Sequence, residues 1–190
     1  REVVQSGVLG QIVQVLAQKS YPYHDRRPQD EDADGGLLLQ VGVHALRFVE
    51  HVAGEKVSEI YAIETQKGNP GQGNLRMATS LMMRLRNGGV ASVLCNYLNP
   101  PVFGTWGNEA LRIFGTQGFV ESVDGGTKTR LVLHDEDRGA LQIEHGGYDY
   151  LDLFLATLLG QSSMPLSIED EIHPTRVLIR AKADADKRAL

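Results

Sequence analysis

The spacing of apolar and polar positions predicts helices toward both ends of the chain. Residues 36–52 repeat apolar side chains at the interval of an α-helix, and residues 148–160 have the same period. A last helix is predicted after Ser167, which forms a capping box with Asp170. Pro174 should kink that helix or restart it, because proline has no backbone N–H to donate.

Between these helices the pattern predicts strands. Residues 11–21 form the first strand, after a short helix end at residues 1–6, and an antiparallel meander is expected from Lys56 to His145. Its strands are predicted at residues 56–66, 74–86, 90–98, 109–115, 118–122, 127–135 and 140–145. We therefore expect one α+β domain over residues 1–190, in which helices pack on one face of an open, mainly antiparallel sheet.

The strand at residues 74–86 has two faces of similar character. One face contains Met77, Thr79, Leu81, Met83 and Leu85, and the other contains Arg76, Ala78, Ser80, Met82 and Arg84. Since neither face is cleanly charged, the face without helices also needs a cover. A second copy of the chain is the simplest cover, so we expect a homo-oligomer, most simply a dimer.

Composition excludes several classes of partner. The net charge is −5 with no long basic run, which argues against binding to nucleic acid or to an anionic membrane. No apolar run reaches about 18 residues, so no membrane-spanning helix is expected. Cys95 is the single cysteine, which excludes an intrachain disulfide, and it has no evident base beside it.

A long polar loop, residues 20–34, precedes the helix at 36–52. It ends in DEDADGG, in which Asp30, Asp32 and Asp34 partly match a calcium-binding EF-hand loop, but Val41 stands where the bidentate Glu would be. A solvated loop with Asp34 near a helix N-terminus is the simpler interpretation. No spacing of the six histidines is typical of a zinc site, so no metal is expected.

Four polar residues lie along one stripe of the helix at 36–52. Gln40, His44, Arg47 and His51 follow one another at intervals of four, three and four residues. The stripe is either a solvated or structural face, which is the more common role for such a histidine, or a catalytic face.

The order of several segments favours the catalytic alternative. SGVLGQIVQV, GGLLLQVGVHALRFVEHVAGE, LRIFGTQGFVES and YDYLDLFLATLLGQSSMPLSIEDEI occur in the order typical of one family. With these motifs the chain resembles the C-terminal domain of the glucose–fructose oxidoreductase, inositol dehydrogenase and MocA family, which has a dihydrodipicolinate-reductase-like fold.

The resemblance implies a function for the parent protein. In that family an N-terminal Rossmann domain binds NAD or NADP and carries a catalytic lysine, while the C-terminal domain supplies the substrate face and the sheet of the dimer. The parent is thus expected to be a cytoplasmic NAD(P)-dependent dehydrogenase of a sugar, inositol or related secondary alcohol. These 190 residues alone should neither bind the dinucleotide well nor transfer hydride.

The resemblance also implies roles for individual residues. His44 takes the place of the family's histidine, which accepts the proton of the substrate hydroxyl, while Gln40 and Arg47 stand where the family usually has aspartates. Gln40 can orient the ring but carries no charge. Five residues are assigned to substrate binding by position alone: Lys19, Tyr21, Tyr23, His24 and Arg26. Two alternatives are a relative that binds a ligand without chemistry, which Gln40 and Arg47 favour, and a free-standing dimerisation module.

Overall fold

A computed structural model describes residues 1–104, 106–142 and 149–188 and contains one eight-stranded sheet. The strands are β1 (Ile12–Ser20), β2 (Val57–Thr65), β3 (Ala78–Leu85), β4 (Val90–Asn96), β5 (Asn108–Gly115), β6 (Gly118–Val123), β7 (Lys128–Leu133) and β8 (Asp137–Ala140). The α-helices are α1 (Glu2–Gln5), α2 (Val43–Arg47), α3 (Tyr150–Leu158) and α4 (Ile168–Arg188). The expected α+β fold, with an open and mainly antiparallel sheet, is confirmed.

The order of the strands differs from a simple meander. The sheet runs β2-β3-β4-β1-β5-β6-β7-β8, and β1 lies parallel to β4 and antiparallel to β5. The prediction of one continuous meander is therefore wrong, because β1 is inserted between its two halves. Apolar alternation identifies a strand and its buried face, whereas lateral order depends on contacts distant in sequence.

The last predicted strand is also shifted. β8 ends at Ala140, and Leu141 and Gln142 belong to no strand, while residues 143–148 lie outside the described part of the chain. The short β8 ends the sheet after a register shift between Leu131 and Val132 of β7.

The helix of the polar stripe lies over the middle of the sheet. α2 continues at both ends as wider π-helical turns, Leu38–Gly42 and Phe48–Val52, and residues 38–52 are called the central helix below. Its apolar side packs on β1 and β4. The residues that it buries there include Leu38, Val41, Ala45, Leu46 and Val49.

The long C-terminal helix covers β2 and the flank of the central helix. Ser167 and Asp170 form the predicted capping box, in which the Ser167 hydroxyl accepts from the Asp170 N–H and the Asp170 carboxylate accepts from the Ser167 N–H. α4 continues through Pro174 as one helix without a restart. Val177 and Leu178, which follow Pro174 in α4, are buried.

α3 forms as its sequence period predicts, but its apolar side is not buried. Leu151, Phe154, Leu155 and Leu158 are all exposed. Asp149 caps the helix by accepting from the Leu151 and Asp152 N–H groups.

A buried group of charges ties the polar loop to α4. Lys182 of α4 pairs with the carboxylates of Glu31, in the loop, and Glu64, in β2, and its side chain is only 12% exposed. Glu31 also accepts from the Arg76 N–H and Glu64 from the Thr79 hydroxyl. Burial lowers the pKa of Lys182, but the hydrogen bonds to Glu31 and Glu64 raise it above its usual value, so the ammonium stays charged.

Replacing Lys182 should therefore be costly. Lys182→Met leaves two buried carboxylates without a cation, and we expect a loss of about 3–5 kcal/mol in the free energy of unfolding, measured by urea titration. The matched control is Lys187→Met on the same helix, since Lys187 is 77% exposed and should lose less than about 0.5 kcal/mol. Equal stability of the two variants would contradict a structural role for the charge group.

Candidate active site

The central helix presents its polar stripe to two different environments. Gln40 and His44, in its first half, are exposed. Arg47 and His51, in its second half, are partly buried and face the start of α4. The first half of the stripe is thus exposed to solvent, and the second half is packed against α4.

Pro174 accounts for the contacts of the second half of the stripe, Arg47 and His51, with the start of α4. Because proline has no N–H, the carbonyl of Asp170 lacks its donor four residues later, and the His51 Nε2 lies 3.1 Å from it. A carbonyl only accepts, so the His51 ring is the donor. Arg47 donates to the Glu171 carbonyl (3.4 Å) and forms an ion pair with the Glu171 carboxylate. Arg47 and His51 therefore stabilise the proline-containing turn of α4.

A buried carboxylate beside this contact was not singled out from the sequence. The Glu50 side chain has no exposed surface, and it accepts from the Val57 N–H (2.9 Å) and contacts the His173 Nδ1 (2.8 Å). Lys56 lies 3.5 Å from Glu50 and pairs with Asp170 (2.8 Å). Glu50 thus joins the central helix, β2 and α4.

His44 lies in the exposed half of the stripe, and its surroundings favour the neutral form of the imidazole. Its pKa is lowered from the ordinary value of 6.5, first by partial burial and then by the positive charges of Lys19 and Arg47, while Glu109 opposes this shift. An exposed imidazole that is unprotonated at neutral pH can accept a proton, as a general base must.

Lys19 and Glu109 are brought together next to His44 by the sheet. The antiparallel register of β1 and β5 pairs the two residues, and the Lys19 Nζ lies 2.6 Å from the Glu109 carboxylate. The same ammonium lies 5.5 Å from the ring centroids of Tyr21 and Phe48, and Phe48 follows His44 by one turn of the central helix. Sequence reasoning missed Glu109, since only the register of two distant strands places it here.

The Gln40 side chain bonds to the backbone of the polar loop and not to the His44 ring. Its amide donates to the carbonyl of Asp34 (2.8 Å), and the Asp34 carboxylate accepts from the Gly36 N–H (2.9 Å). These bonds connect the end of the polar loop to the start of the helix, as expected for Asp34. Within residues 1–104, 106–142 and 149–188 no cluster of three acidic, histidine or cysteine side chains could hold a metal ion.

The five residues assigned to substrate binding do not all lie together. Lys19 and Tyr21 are adjacent, and His24 joins them through the ring of Trp106. The Tyr23 hydroxyl instead accepts from the Gln29 amide (3.2 Å), and Arg26 is exposed on the outside of the loop.

An open cleft of about 960 Å³ lies beside Lys19 and Glu109, on the helix side of the sheet. Its apolar lining comes from α1, the central helix and the neighbouring strands, and includes Val3, Val4, Phe48, Val52, Leu111, Ile113 and Val120. A cleft of this size with a few polar groups at its edge is typical of a small-molecule site.

The fold is that of the C-terminal domains of oxidoreductases. Residues 1–121 match the family described as the GFO/IDH/MocA C-terminal domain, and the chain belongs to this family. No match was found among curated proteins.

Solved structures share the fold over nearly the whole chain. A Thermotoga maritima protein described as an oxidoreductase has 29% identity and a TM-score of 0.88, over 98% of this chain and 57% of that one. An aldose–aldose oxidoreductase from Caulobacter crescentus, complexed with glycerol, has 18% identity and a TM-score of 0.81, over 100% and 57% of the two chains. A levoglucosan dehydrogenase in complex with NADH and L-sorbose has 15% identity and a TM-score of 0.76, over 98% and 59%. The chain thus spans less than two thirds of the length of these proteins.

No helix among the described residues is both long and apolar enough to cross a membrane.

The two halves of the stripe should respond differently to mutation. His51→Ala leaves the Asp170 carbonyl without its donor, and we expect a loss of about 1–3 kcal/mol in the free energy of unfolding, measured by urea titration. His44→Ala removes an exposed ring, so it should change stability by less than about 0.5 kcal/mol. A larger loss for His44→Ala than for His51→Ala would contradict this division.

Proposed function

We propose that residues 1–190 are the substrate-binding and oligomerisation domain of an NAD(P)-dependent oxidoreductase that oxidises a secondary hydroxyl of a sugar, inositol or related polyol. The observation that carries this proposal is the neutral, accessible imidazole of His44 next to the Lys19–Glu109 pair. The sugar class is supported by the aldose–aldose oxidoreductase and the levoglucosan dehydrogenase that share the fold.

The described residues do not fit a dinucleotide. They contain a single parallel strand pair, β1 and β4, and not the run of parallel strands of a nucleotide-binding sheet. NAD or NADP would therefore bind to another part of the parent protein, and this chain alone would not transfer hydride. When bound, the nicotinamide accepts the hydride from the substrate carbon.

His44 would act on the substrate hydroxyl. Its neutral ring accepts the hydroxyl proton as the carbon is oxidised, and the Lys19 ammonium is placed to donate a hydrogen bond to a substrate oxygen. The charge of Glu109 favours the imidazolium that forms, whereas Lys19 and Arg47 disfavour it, so the proton leaves the exposed ring readily for water.

A second candidate function is a ligand-binding relative without chemistry. It is favoured by Gln40, whose uncharged amide is bound to the Asp34 carbonyl, and by Arg47, which is neutralised by Glu171. Both stand where the resembled family usually has a carboxylate. Reduction of NAD(P)⁺ by the native parent protein with any polyol would exclude this candidate.

His44→Ala in the full-length parent protein tests the catalytic assignment. We expect kcat/KM to fall by about 10²–10⁴, because the proton acceptor is lost. The matched control is His134→Ala, an exposed histidine after β7, which should leave kcat/KM unchanged. Unchanged turnover in His44→Ala would refute the assignment.

The pH dependence gives a second measurement on the same protein. Since the pKa of His44 is lowered, kcat/KM should rise through an acid limb below pH 6.5 and be level at neutral pH. Lys19→Met removes a nearby positive charge, so it should move this limb to higher pH. A limb above 6.5 in the native protein, or one that Lys19→Met moves downward, would contradict the proposed base.

The second part of the proposal is a dimer formed through the open sheet face. On β2, β3, β4 and β1 this face has exposed apolar side chains, among them Leu16, Tyr61, Ile63, Met82 and Leu94, together with exposed Ser80 and the Arg84–Glu59 ion pair. On β5, β6 and β7 it is charged, with the Arg112–Glu121 pair across two strands and Arg130 beside Asp137. An apolar area next to a charged border is typical of a protein interface.

Met82→Asp together with Leu94→Asp should separate the dimer, because it places charges in the middle of the apolar area. Light scattering at about 100 µM should then give the mass of a monomer, while the native chain gives twice that mass. The control is Ile179→Asp on α4, which is similarly exposed but lies on the helix side and should stay dimeric. A monomeric native chain at that concentration would refute this part.

A further inference from the structure

Trp106 is a large aromatic side chain at the edge of the candidate site, and it is 60% exposed. Its ring centroid lies 5.7 Å from that of Tyr21 and 6.2 Å from that of His24, with interplanar angles of 39° and 31°. Tyr21, His24 and Trp106 are called the aromatic wall below. The rings of Tyr21 and His24 lie beside the indole, yet most of the indole surface stays open to solvent.

The polar groups of the site lie directly beside the wall. The Lys19 ammonium is 5.5 Å from the Tyr21 ring centroid and 2.6 Å from the Glu109 carboxylate. Glu109 follows Trp106 by three residues, and a Cβ added at Gly107 would collide with the Glu109 carboxylate. The carboxylate therefore lies over the backbone next to the indole, so an apolar ring, a cation and an anion occur at one place.

This combination matches the chemistry of a cyclic sugar. A pyranose has a flat face of C–H groups that can contact an aromatic ring, while its hydroxyls point sideways to donors and acceptors. An acyclic polyol has the hydroxyls but not the flat apolar face. A protein partner would need a larger apolar area than one indole, and charges as close as Lys19 and Glu109 are uncommon in the centre of such an interface.

We propose that Trp106, supported by Tyr21 and His24, is a stacking platform for a pyranose ring whose hydroxyls bind Lys19 and Glu109. The inference rests on the proposed function for the location of the site, and it narrows the substrate class from sugars and polyols to pyranoses. Trp106 selects the substrate by contact and takes no part in the transfer of the proton.

The sequence contains a single tryptophan, so intrinsic fluorescence reports on this position alone. The 190-residue chain is titrated with methyl β-D-glucopyranoside and, separately, with D-sorbitol. We expect a saturable change of Trp106 emission with the glucoside and an affinity for sorbitol that is weaker by about fivefold or more. Saturation-transfer NMR should show the strongest transfer at the axial H1, H3 and H5 protons of the glucoside.

Two variants distinguish stacking on an aromatic ring from simple contact with an apolar side chain. Trp106→Leu keeps an apolar side chain without a ring and should weaken glucoside binding by about fivefold or more, measured by the NMR titration. Trp106→Tyr keeps a ring and should bind within about twofold of the native chain. Circular dichroism and the thermal midpoint of both variants should match the native chain, because the indole is exposed.

Several outcomes would overturn the inference. These are glucoside binding without a change of Trp106 emission, equal affinity in Trp106→Leu, equal or tighter binding of sorbitol, and no glucoside binding up to about 100 mM. A blue shift of the emission that grows with protein concentration would also overturn it, since another copy of the chain would then cover the indole.

Failure of this inference and failure of the proposed function can be told apart. If the glucoside binds at Trp106 but the native parent protein oxidises no sugar or polyol, only the proposed function fails. If the parent oxidises a sugar with the same KM in Trp106→Leu as in the native protein, only the stacking platform fails.

Discussion

The pairing of β1 with β4 on one side and β5 on the other is the constraint on which the candidate site depends. A buried strand must pair its N–H and C=O groups along both edges, and β1 does so by joining two antiparallel halves into one sheet. Its last residues therefore lie in the middle of the sheet, under the central helix. Lys19 meets Glu109 of β5 there, and the chain leaves the strand at Tyr21, the first residue of the aromatic wall.

The two ends of the polar stripe of the central helix lie in different environments. A single missing N–H, at Pro174, leaves a carbonyl of α4 that His51 satisfies, and this contact uses one end of the stripe. At the other end, His44 has no such contact within the part of the chain that the structure describes, so its ring stays accessible. The division follows from what packs against the helix and not from the helix itself, since all four stripe residues are polar.

Charges that the sequence presents as solvent-exposed are partly structural. The loop at residues 20–34 is as polar as a free loop, yet Glu31 is buried and pairs with Lys182, which also holds Glu64. A buried ion pair adds little net stability, but it raises the free energy of other packing arrangements of the chain, because any of them leaves a charge unpaired. The loop is thereby held at its far end, while the Tyr21 backbone at its start donates to the Asn96 carbonyl and accepts from the Asn99 N–H.

The sequence by itself determined the fold class, the family, the position of His44 and most of the helix and strand segments, because apolar period and local motifs are encoded over a few neighbouring residues. It did not determine the insertion of β1, the partners of Gln40 and His51, or the presence of Glu109 and Trp106 at the site. Residues 19 and 109 are 90 positions apart, and nothing local in either segment indicates that they pair. Only the tertiary structure decides such contacts, because strand order and register depend on how the whole sheet satisfies its hydrogen bonds and buries its apolar face.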